Sequence, residues 1–202
     1  ITEKIPKALV EVAGKPFIIH QLEYLKKQKV THVVLCLGYL GEQVQAVIGN
    51  GTSFGLNVRY SWDGPTLLGT GGCLKQALPL LGENFFVYYG DSYLPIDFQT
   101  VAHNFLTCNK PGLMTVLKND DRWDKSNVVF KKKIIIEYNK MTHNRNMLYI
   151  DYGLSILSAS VLSEQPNKIP LDLSDIYHEL STKGLLAGHE VYERFYEIGS
   201  HK

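Results

Sequence analysis

The chain has 202 residues, of which 45% are hydrophobic, 11% aromatic and 20% charged, a composition that excludes fibrous and low-complexity proteins. Lysine and arginine number 21 against 20 aspartates and glutamates, so the formal net charge of +1 offers no broad field for nucleic acid or an anionic membrane. We therefore expect neither nucleic acid nor a membrane as a partner, and the length suits one domain.

In the first half of the chain, apolar residues at helical spacing alternate with short β-branched and aromatic runs. Strands that alternate with helices at this spacing predict a mostly parallel sheet with helices on both faces. The predicted elements, in chain order, are a helix over 16–25, a strand over 32–38, a helix over 42–48, a strand over 56–61, a helix over 72–80, a strand over 85–91, a helix over 98–106 and a strand over 113–117.

The second half of the chain has a different pattern of predicted elements. Residues 127–138 predict a hairpin whose turn carries three consecutive lysines, Lys131 to Lys133. A strand over 149–157, a helix over 173–180 that ends near Gly184, and a strand over 193–198 follow. With no internal repeat and no linker, we expect one α/β domain over 1–202 with a small antiparallel subregion.

The cysteines Cys36, Cys73 and Cys108 are odd in number and lie far apart, so neither a disulfide framework nor a zinc knuckle is indicated. No signal peptide opens the chain and no apolar run is long enough to span a membrane. A cytoplasmic protein with free thiols is the expectation. The chain begins with Ile1 instead of Met, and we expect it to be part of a longer protein, truncated at both ends.

Asp91 directly follows the strongest predicted strand and is preceded by Gly90, which allows close approach to the backbone. Ligands of open parallel sheets bind beyond the carboxyl ends of the strands, where a carboxylate suits Mg²⁺. The alternative is an ordinary turn with an aspartate cap.

Further candidates are weaker when each is taken alone. The glycines of residues 68–72 (L-G-T-G-G) would let a base or phosphate reach backbone N–H groups, or would simply form a flexible turn. Lys7 and Lys140 are lone cations suited to phosphate or to solvent. Glu197, within an apolar run, is a second metal carboxylate or an exposed side chain. No zinc-ligand spacing and no hydrolase triad is present.

The order of these features along the chain is specific to one protein family. Residues 2–17 (T-E-K-I-P-K-A-L-V-E-V-A-G-K-P-F) resemble the opening of the sugar-1-phosphate nucleotidylyltransferases, and residues 68–72 resemble the base-reading segment of that family. Residues 89–92 (Y-G-D-S) are similar to its metal-binding Gly-Asp, and 196–200 (Y-E-I-G-S) to its closing Asp-x-Gly-Thr. Residues 150–154 (I-D-Y-G-L) resemble the branch that handles mannose-like or heptose 1-phosphates.

The resemblance implies a Rossmann-like α/β fold in which 1–118 form the nucleotide-binding half and 119–202 the sugar-phosphate-binding half. It implies the reaction of an NTP with a sugar 1-phosphate to give an NDP-sugar and pyrophosphate, with GTP favoured and UTP as the second choice. Mg²⁺ is the implied cofactor. Because members of the family commonly associate, a homo-oligomer fits as well.

On the nucleotide side, the resemblance places Lys7 beside the triphosphate and Asp91 on Mg²⁺. It places Gly69, Thr70 and Gly71 against the base. Lys7 and Asp91 are thereby implied as catalytic groups.

On the sugar side, the resemblance makes Lys140 the catalytic lysine that grips the sugar phosphate. Asn127, Asp151 and Gly153 line the implied sugar pocket. Glu197 becomes the second metal carboxylate, in a position where the family usually has aspartate.

Two other functions stay open at this point. The G-G-x-G-T-R loop of the family has no counterpart in the 202 residues, which motivates a non-catalytic relative that binds a nucleotide or sugar phosphate and acts as a regulator. A glycosyltransferase of similar fold is the third reading, although the run Asp91-Ser92-Tyr93 lacks the second aspartate of a D-x-D motif.

Overall fold

The computed structural model describes residues 4–199, so Thr2, Glu3 and Ser200 of the quoted motifs lie outside the described residues. The helices are α1 (Phe17–Lys27), α2 (Gly41–Ile48), α3 (Thr70–Ala77), α4 (Phe98–Cys108), α5 (Ala159–Ser163) and α6 (Leu173–Thr182). The strands are β1 (Glu11–Val12), β2 (Lys15–Pro16), β3 (His32–Leu37), β4 (Asn57–Trp62), β5 (Asn84–Tyr88), β6 (Ser92–Tyr93), β7 (Gly112–Lys118), β8 (Val128–Lys131), β9 (Ile134–Tyr138), β10 (Tyr149–Ser158), β11 (Leu186–Val191) and β12 (Tyr196–Glu197).

Local sequence signals explain where several elements begin and turn. Pro16 precedes α1, and its fixed φ suits a helix entrance. Asp97 caps α4 by accepting hydrogen bonds from the backbone N–H groups of Gln99 and Thr100. The predicted hairpin is confirmed: Lys132 and Lys133, both with positive φ, form the exposed turn between β8 and β9.

The main sheet has six strands in the order β5-β10-β7-β11-β9-β8. Within it only β7 and β11 pair in parallel, and every other pair is antiparallel. The prediction of a mostly parallel sheet is therefore wrong for these strands, because β10 inserts between β5 and β7 and runs opposite to both. The strands β3 and β4 form a separate parallel pair.

Sequence patterning missed β11. Its run L-A-G-H-E-V has neither a continuous apolar stretch nor strict alternation, yet the strand pairs with β7 over six residues. Gly188 is required there, because a Cβ at this position would lie 2.5 Å from the Phe130 ring. The strand predicted over 193–198 is reduced to β12, which pairs only with β6.

Successive residues of β10 contribute side chains to two hydrophobic cores, one on each face of the sheet. Tyr152, Leu154 and Ile156 pack in a core that includes residues of α1, α2 and α4, whereas Leu157 joins a core with residues of α5 and α6. Helices therefore cover both faces, as expected.

Cys36, Cys73 and Cys108 are free thiols. Within residues 4–199, no helix has the length and apolarity needed to cross a membrane.

Candidate active site

Asp91 and Glu197 are 106 positions apart in the chain but adjacent in the fold. The short strands β6 and β12 pair antiparallel with Ser92 opposite Glu197, and the Ile198 N–H donates to the Asp91 carbonyl oxygen at 2.9 Å. Desolvation, and then the carboxylates of Asp91 and Asp124, raise the pKa of Glu197. The two predicted metal carboxylates are thus brought together, and their mutual repulsion is part of what raises the pKa of Glu197.

A buried side chain that sequence reasoning missed holds the Asp91 loop in place. Gln21 on α1 is 4% exposed, and its Nε2 donates to the carbonyl oxygens of Tyr89 and Ser92 at 3.0 and 2.7 Å. Both acceptors flank Asp91, so α1 fixes the position of the loop after β5. A glutamine on the apolar face of a helix is the sequence signal that could have found it.

Lys7 and Lys140 both approach this pair of carboxylates. The Nζ of Lys7 lies 3.6 Å from the Asp91 Oδ2, an exposed contact that leaves the ammonium accessible to a ligand. Lys140, on the exposed turn after β9, lowers the pKa values of Asp151, Asp172 and Glu197, in each case against the effect of burial. The two cations therefore lie within electrostatic reach of one cluster of carboxylates.

Asp151 and Gly153 lie at a bulge in β10, where the register against β7 shifts between Asp151 and Ser155. The Asn127 Oδ1 accepts from the Asp151 N–H at 3.0 Å, and the Asp151 Oδ1 accepts from the Gly153 N–H at 3.0 Å. Gly153 has φ of +100°, which favours glycine. These contacts join Asn127, Asp151 and Gly153 in one bonded segment beside Lys140.

Burial raises the pKa of Asp151 to about 6, with a smaller rise from Glu197. The Gly153 N–H and the Lys140 ammonium oppose that rise without cancelling it. In the folded protein this carboxyl group is therefore half-protonated near pH 6, well above the range of an ordinary aspartate.

The glycine segment is bound by a neighbouring loop. The N–H groups of Gly71 and Gly72 donate to the Leu171 carbonyl oxygen at 2.9 and 3.1 Å, and a Cβ on Gly69 would lie 2.5 Å from the same oxygen. The Gly71 N–H is thus already engaged, and these glycines are needed for the close packing of Leu171. Their role in reading a base stays a prediction.

Asp172 is a further residue that sequence reasoning missed. Its carboxylate caps α6 through the Ser174 N–H and accepts a hydrogen bond from the Thr70 Oγ1 at 3.2 Å. The Thr70 Oγ1 in turn accepts from the Leu173 N–H at 2.9 Å. An aspartate before a helix signals a cap, but its contact with a threonine 102 positions earlier has no local signal.

The donor set suits a hard divalent cation. Mg²⁺ takes oxygen ligands and is usually held by one or two carboxylates together with substrate phosphates. Among residues 4–199, no group of three or more histidines, cysteines and carboxylates could hold a metal. Asp91 and Glu197, as a pair, match the kind of site that is completed by a substrate.

Solved structures share this fold. HddC from Yersinia pseudotuberculosis matches with a TM-score of 0.83 at 23% identity, over 96% of this chain and 85% of that chain. The same protein complexed with GMP-PN matches equally well, with a TM-score of 0.83 at 22% identity. The chain therefore has the same mixed α/β fold as these solved structures.

Curated proteins of similar sequence narrow the class of enzyme that this chain resembles. N-acetylmuramate alpha-1-phosphate uridylyltransferase of Neisseria meningitidis is 41% identical over 99 residues, covering 48% of this chain and 43% of that protein. D-glycero-alpha-D-manno-heptose 1-phosphate guanylyltransferase of Campylobacter jejuni is 28% identical over 167 residues, covering 81% and 72%. No protein-family model matches the chain.

The family resemblance read from the motifs is confirmed, because the curated relatives of this chain are sugar-1-phosphate nucleotidylyltransferases. Guanylyltransferases for heptose 1-phosphate and mannose 1-phosphate are among them. The chain spans 43% of the N-acetylmuramate relative and 58% of a mannose-1-phosphate guanyltransferase of Xenopus laevis.

The packing of the glycine segment predicts that Gly69→Ala is strongly destabilising. Gly69 and Gly64 both have positive φ, +81° and +78°, but only a Cβ at Gly69 meets backbone, whereas none of the described atoms lies within 4 Å at Gly64. We expect Gly64→Ala to cost about 1 kcal/mol of unfolding free energy for the backbone conformation alone. Gly69→Ala should cost about 3 kcal/mol or more, measured by urea unfolding. Equal losses would contradict the contact with Leu171.

The raised pKa of Asp151 predicts that this residue lowers the unfolding free energy by an amount that depends on pH. The folded state favours the protonated carboxyl group, so stability falls as pH rises from the ordinary aspartate pKa of 3.8 to about 6 and stays low above that. Asp151→Asn keeps an acceptor for Gly153, and should raise the unfolding free energy at pH 7.5 by up to about 3 kcal/mol. At pH 4 the gain should vanish.

Urea unfolding of wild type and variant at both pH values measures this difference. Asp120→Asn, which removes an exposed carboxylate on the loop after β7, controls for the loss of a charge. A gain of the same size at both pH values would show that the carboxylate of Asp151 is not the cause.

Proposed function

We propose that this protein is a nucleotidylyltransferase that converts an NTP and a sugar 1-phosphate to an NDP-sugar and pyrophosphate. One observation carries the proposal: strands β6 and β12 bring Asp91 and Glu197 together, and Lys7 and Lys140 approach them. The guanylyl and uridylyl activities named for the relatives support the same reaction class.

In the proposed reaction, an oxygen of the sugar phosphate attacks the α-phosphorus in line, and the bond to the pyrophosphate oxygen breaks. Such a transfer asks for positioning and charge neutralisation more than for covalent chemistry. Lys7 binds the triphosphate beside Asp91, and Lys140 binds the sugar phosphate. Because these lysines hold the two anions side by side, they offset the repulsion between nucleophile and electrophile.

Asp91 and Glu197 would hold Mg²⁺. When bound, the ion would neutralise charge that builds on the α-phosphate. Desolvation, and then the carboxylates of Asp91 and Asp124, raise the pKa of Glu197 against the effect of Lys7 and Lys140. A bound cation would offset the part of that rise that comes from the neighbouring carboxylates, which supports this assignment. The longer glutamate side chain places its carboxylate one bond further from the backbone than an aspartate would.

The nucleotide half of the proposal assigns residues 1–118 to the NTP, with Gly69, Thr70 and Gly71 facing the base. GTP is the favoured nucleotide and UTP the second choice, which the complex of HddC with GMP-PN and the guanylyltransferase relatives support. Since Thr70 is held by Asp172 and Gly71 by Leu171, this segment is rigid before any base arrives.

The sugar half assigns residues 119–202 to the sugar 1-phosphate, with Asn127, Lys140, Asp151 and Gly153 at the site. A mannose-type or heptose-type 1-phosphate is the proposed substrate, in line with the relatives that act on heptose 1-phosphate and mannose 1-phosphate. A cytoplasmic location, where NTP is available to the reaction, belongs to the same proposal, and so does a homo-oligomer.

The first test is pyrophosphate release by the intact protein with Mg²⁺, with four NTPs crossed against a panel of sugar 1-phosphates. Release with one pair names both substrates. Asp91→Asn should lower kcat by about 100-fold or more while the fold is kept. Glu164→Gln, an exposed carboxylate after α5, should leave kcat unchanged. Nucleotide binding without turnover for every pair would favour the regulatory relative instead.

The two lysines predict separable kinetic defects. Lys7→Met should raise KM for the NTP by about tenfold, because a charged contact to the triphosphate is lost, and leave KM for the sugar 1-phosphate nearly unchanged. Lys140→Met should show the opposite pattern. Steady-state kinetics with each substrate varied in turn measures both, and Lys118→Met on the exposed end of β7 serves as the control. Identical effects of both variants on both KM values would refute the assignment.

A further inference from the structure

Two of the three cysteines are adjacent in the fold, although 37 positions separate them in the sequence. Cys36 lies near the end of β3, and Cys73 lies in the first turn of α3, which packs against β3. The Cys36 Sγ is within hydrogen-bonding distance of the Cys73 carbonyl oxygen, at 3.7 Å, and of the Cys73 thiol. We call Cys36 and Cys73 the thiol pair, since their sulfur atoms meet between the strand and the helix.

The third cysteine has a different environment. Cys108, the last residue of α4, packs against the core that includes α1 and α4, and its thiol donates to the Phe105 carbonyl oxygen at 3.1 Å. All three thiols are half-buried, so exposure does not separate them. The thiol pair, however, belongs to neither of the two cores that the described residues form. Filling space in a core is therefore a sufficient role for Cys108 but not for the pair.

The two members of the thiol pair differ in acidity. The hydrogen bond from the Cys36 thiol lowers the pKa of Cys73, against the effects of desolvation and the Asp63 carboxylate. The same hydrogen bond, together with burial and Asp63, raises the pKa of Cys36. Because the thiolate is the nucleophile in thiol–disulfide exchange, Cys73 is the member suited to react first and Cys36 the member suited to displace a group from it.

We propose that the thiol pair is a redox modification site, which a low-molecular-weight disulfide converts reversibly to a Cys36–Cys73 disulfide. The Cys73 thiolate attacks one sulfur of the oxidant, R–S–S–R, and a mixed disulfide forms as the first R–S⁻ leaves. Cys36, once deprotonated, attacks the Cys73 sulfur and displaces the second R–S⁻. The protons of the two cysteines end on two R–SH molecules, so the protein loses two electrons and the oxidant gains them.

Oxidation of the thiol pair would act on the glycine segment. Cys73 directly follows Gly72, and its thiol donates to the Thr70 carbonyl oxygen at 3.2 Å. A disulfide has no S–H group, so this hydrogen bond is lost when the pair is oxidised. Because the proposed function places Thr70 and Gly71 against the base, we expect oxidation to weaken nucleotide binding. That consequence rests on the proposed function, whereas formation of the disulfide does not.

Oxidised glutathione is the probe for the chemistry. The intact, fully reduced protein is incubated with it, the remaining thiols are blocked with N-ethylmaleimide, and the digested peptides are identified by mass spectrometry. We expect a peptide cross-linked between Cys36 and Cys73, lighter by two hydrogen atoms and lost on treatment with dithiothreitol, while Cys108 is recovered blocked. Absence of that cross-link, or glutathione on Cys108 ahead of Cys73, overturns the proposal.

Serine variants separate the two steps. Cys36→Ser should stop at the mixed disulfide between glutathione and Cys73, because the displacing thiol is gone. Cys73→Ser should leave Cys36 modified at least about tenfold more slowly, since its own pKa is raised. Cys108→Ser is the matched control and should form the cross-link as wild type does. Equal modification of Cys36 and Cys73 in the two single variants contradicts the assigned order of attack.

Isothermal titration with the NTP measures the consequence. Oxidised wild type should bind it with a Kd raised about threefold or more over the reduced protein, because a hydrogen bond that holds the segment is lost. The double variant Cys36→Ser/Cys73→Ser should give the same Kd with and without oxidised glutathione. If the cross-link forms but no NTP binds in either state, the proposed function fails and the modification site stands. Equal Kd values in reduced and oxidised wild type refute the effect on the glycine segment.

Discussion

The pairing of the two-residue strands β6 and β12 is the constraint on which the site depends. It sets Ser92 opposite Glu197, and the Ile198 N–H closes the junction on the Asp91 carbonyl oxygen. A pairing of only two residues per strand is too short to fix this junction by itself. Gln21 holds it from the other side, with both hydrogen bonds of its amide nitrogen donated to the carbonyl oxygens that flank Asp91. The carboxylates of Asp91 and Glu197 are therefore positioned by α1 as much as by the strands.

A second clamp acts on the glycine segment. The Leu171 carbonyl oxygen accepts from Gly71 and Gly72, the Leu171 N–H donates to the Leu68 carbonyl oxygen, and Asp172 holds Thr70. Residues of α6 and the loop before it thus fix the start of α3. The proposed nucleotide half is built on contacts from the proposed sugar half, so the two sequence halves form one structural unit around the site.

Much of this arrangement follows from local pattern. Strong strand and helix signals, such as the run before Asp91 and the apolar face of α1, predicted elements within a few residues of their observed bounds. Pairing direction did not follow, because the place of β10 between β5 and β7 is decided by packing on both faces. The strand β11 was missed since Gly188 and His189 interrupt its pattern, although contact with Phe130 demands that glycine.

The site residues divide in the same way. Motif resemblance predicted seven site residues, and the structure brings them within electrostatic or hydrogen-bonding reach of one another. These residues are Lys7, Asp91, Asn127, Lys140, Asp151, Gly153 and Glu197. Gln21 and Asp172 could not be found in this way, because each acts through a contact with a residue distant in the chain. Those contacts exist only once the sheet has formed.

The free protein carries polar costs at the site that a pure stability optimum would remove. Asp151 is half-buried and its pKa is raised in spite of the Gly153 N–H and the Lys140 ammonium, and Glu197 faces another carboxylate. Each cost has the sign that a bound group would reverse: a hydroxyl donor at Asp151 and a cation at the carboxylate pair. Local destabilisation that a ligand can relieve at two neighbouring points is what distinguishes a binding site from a polar defect in the core.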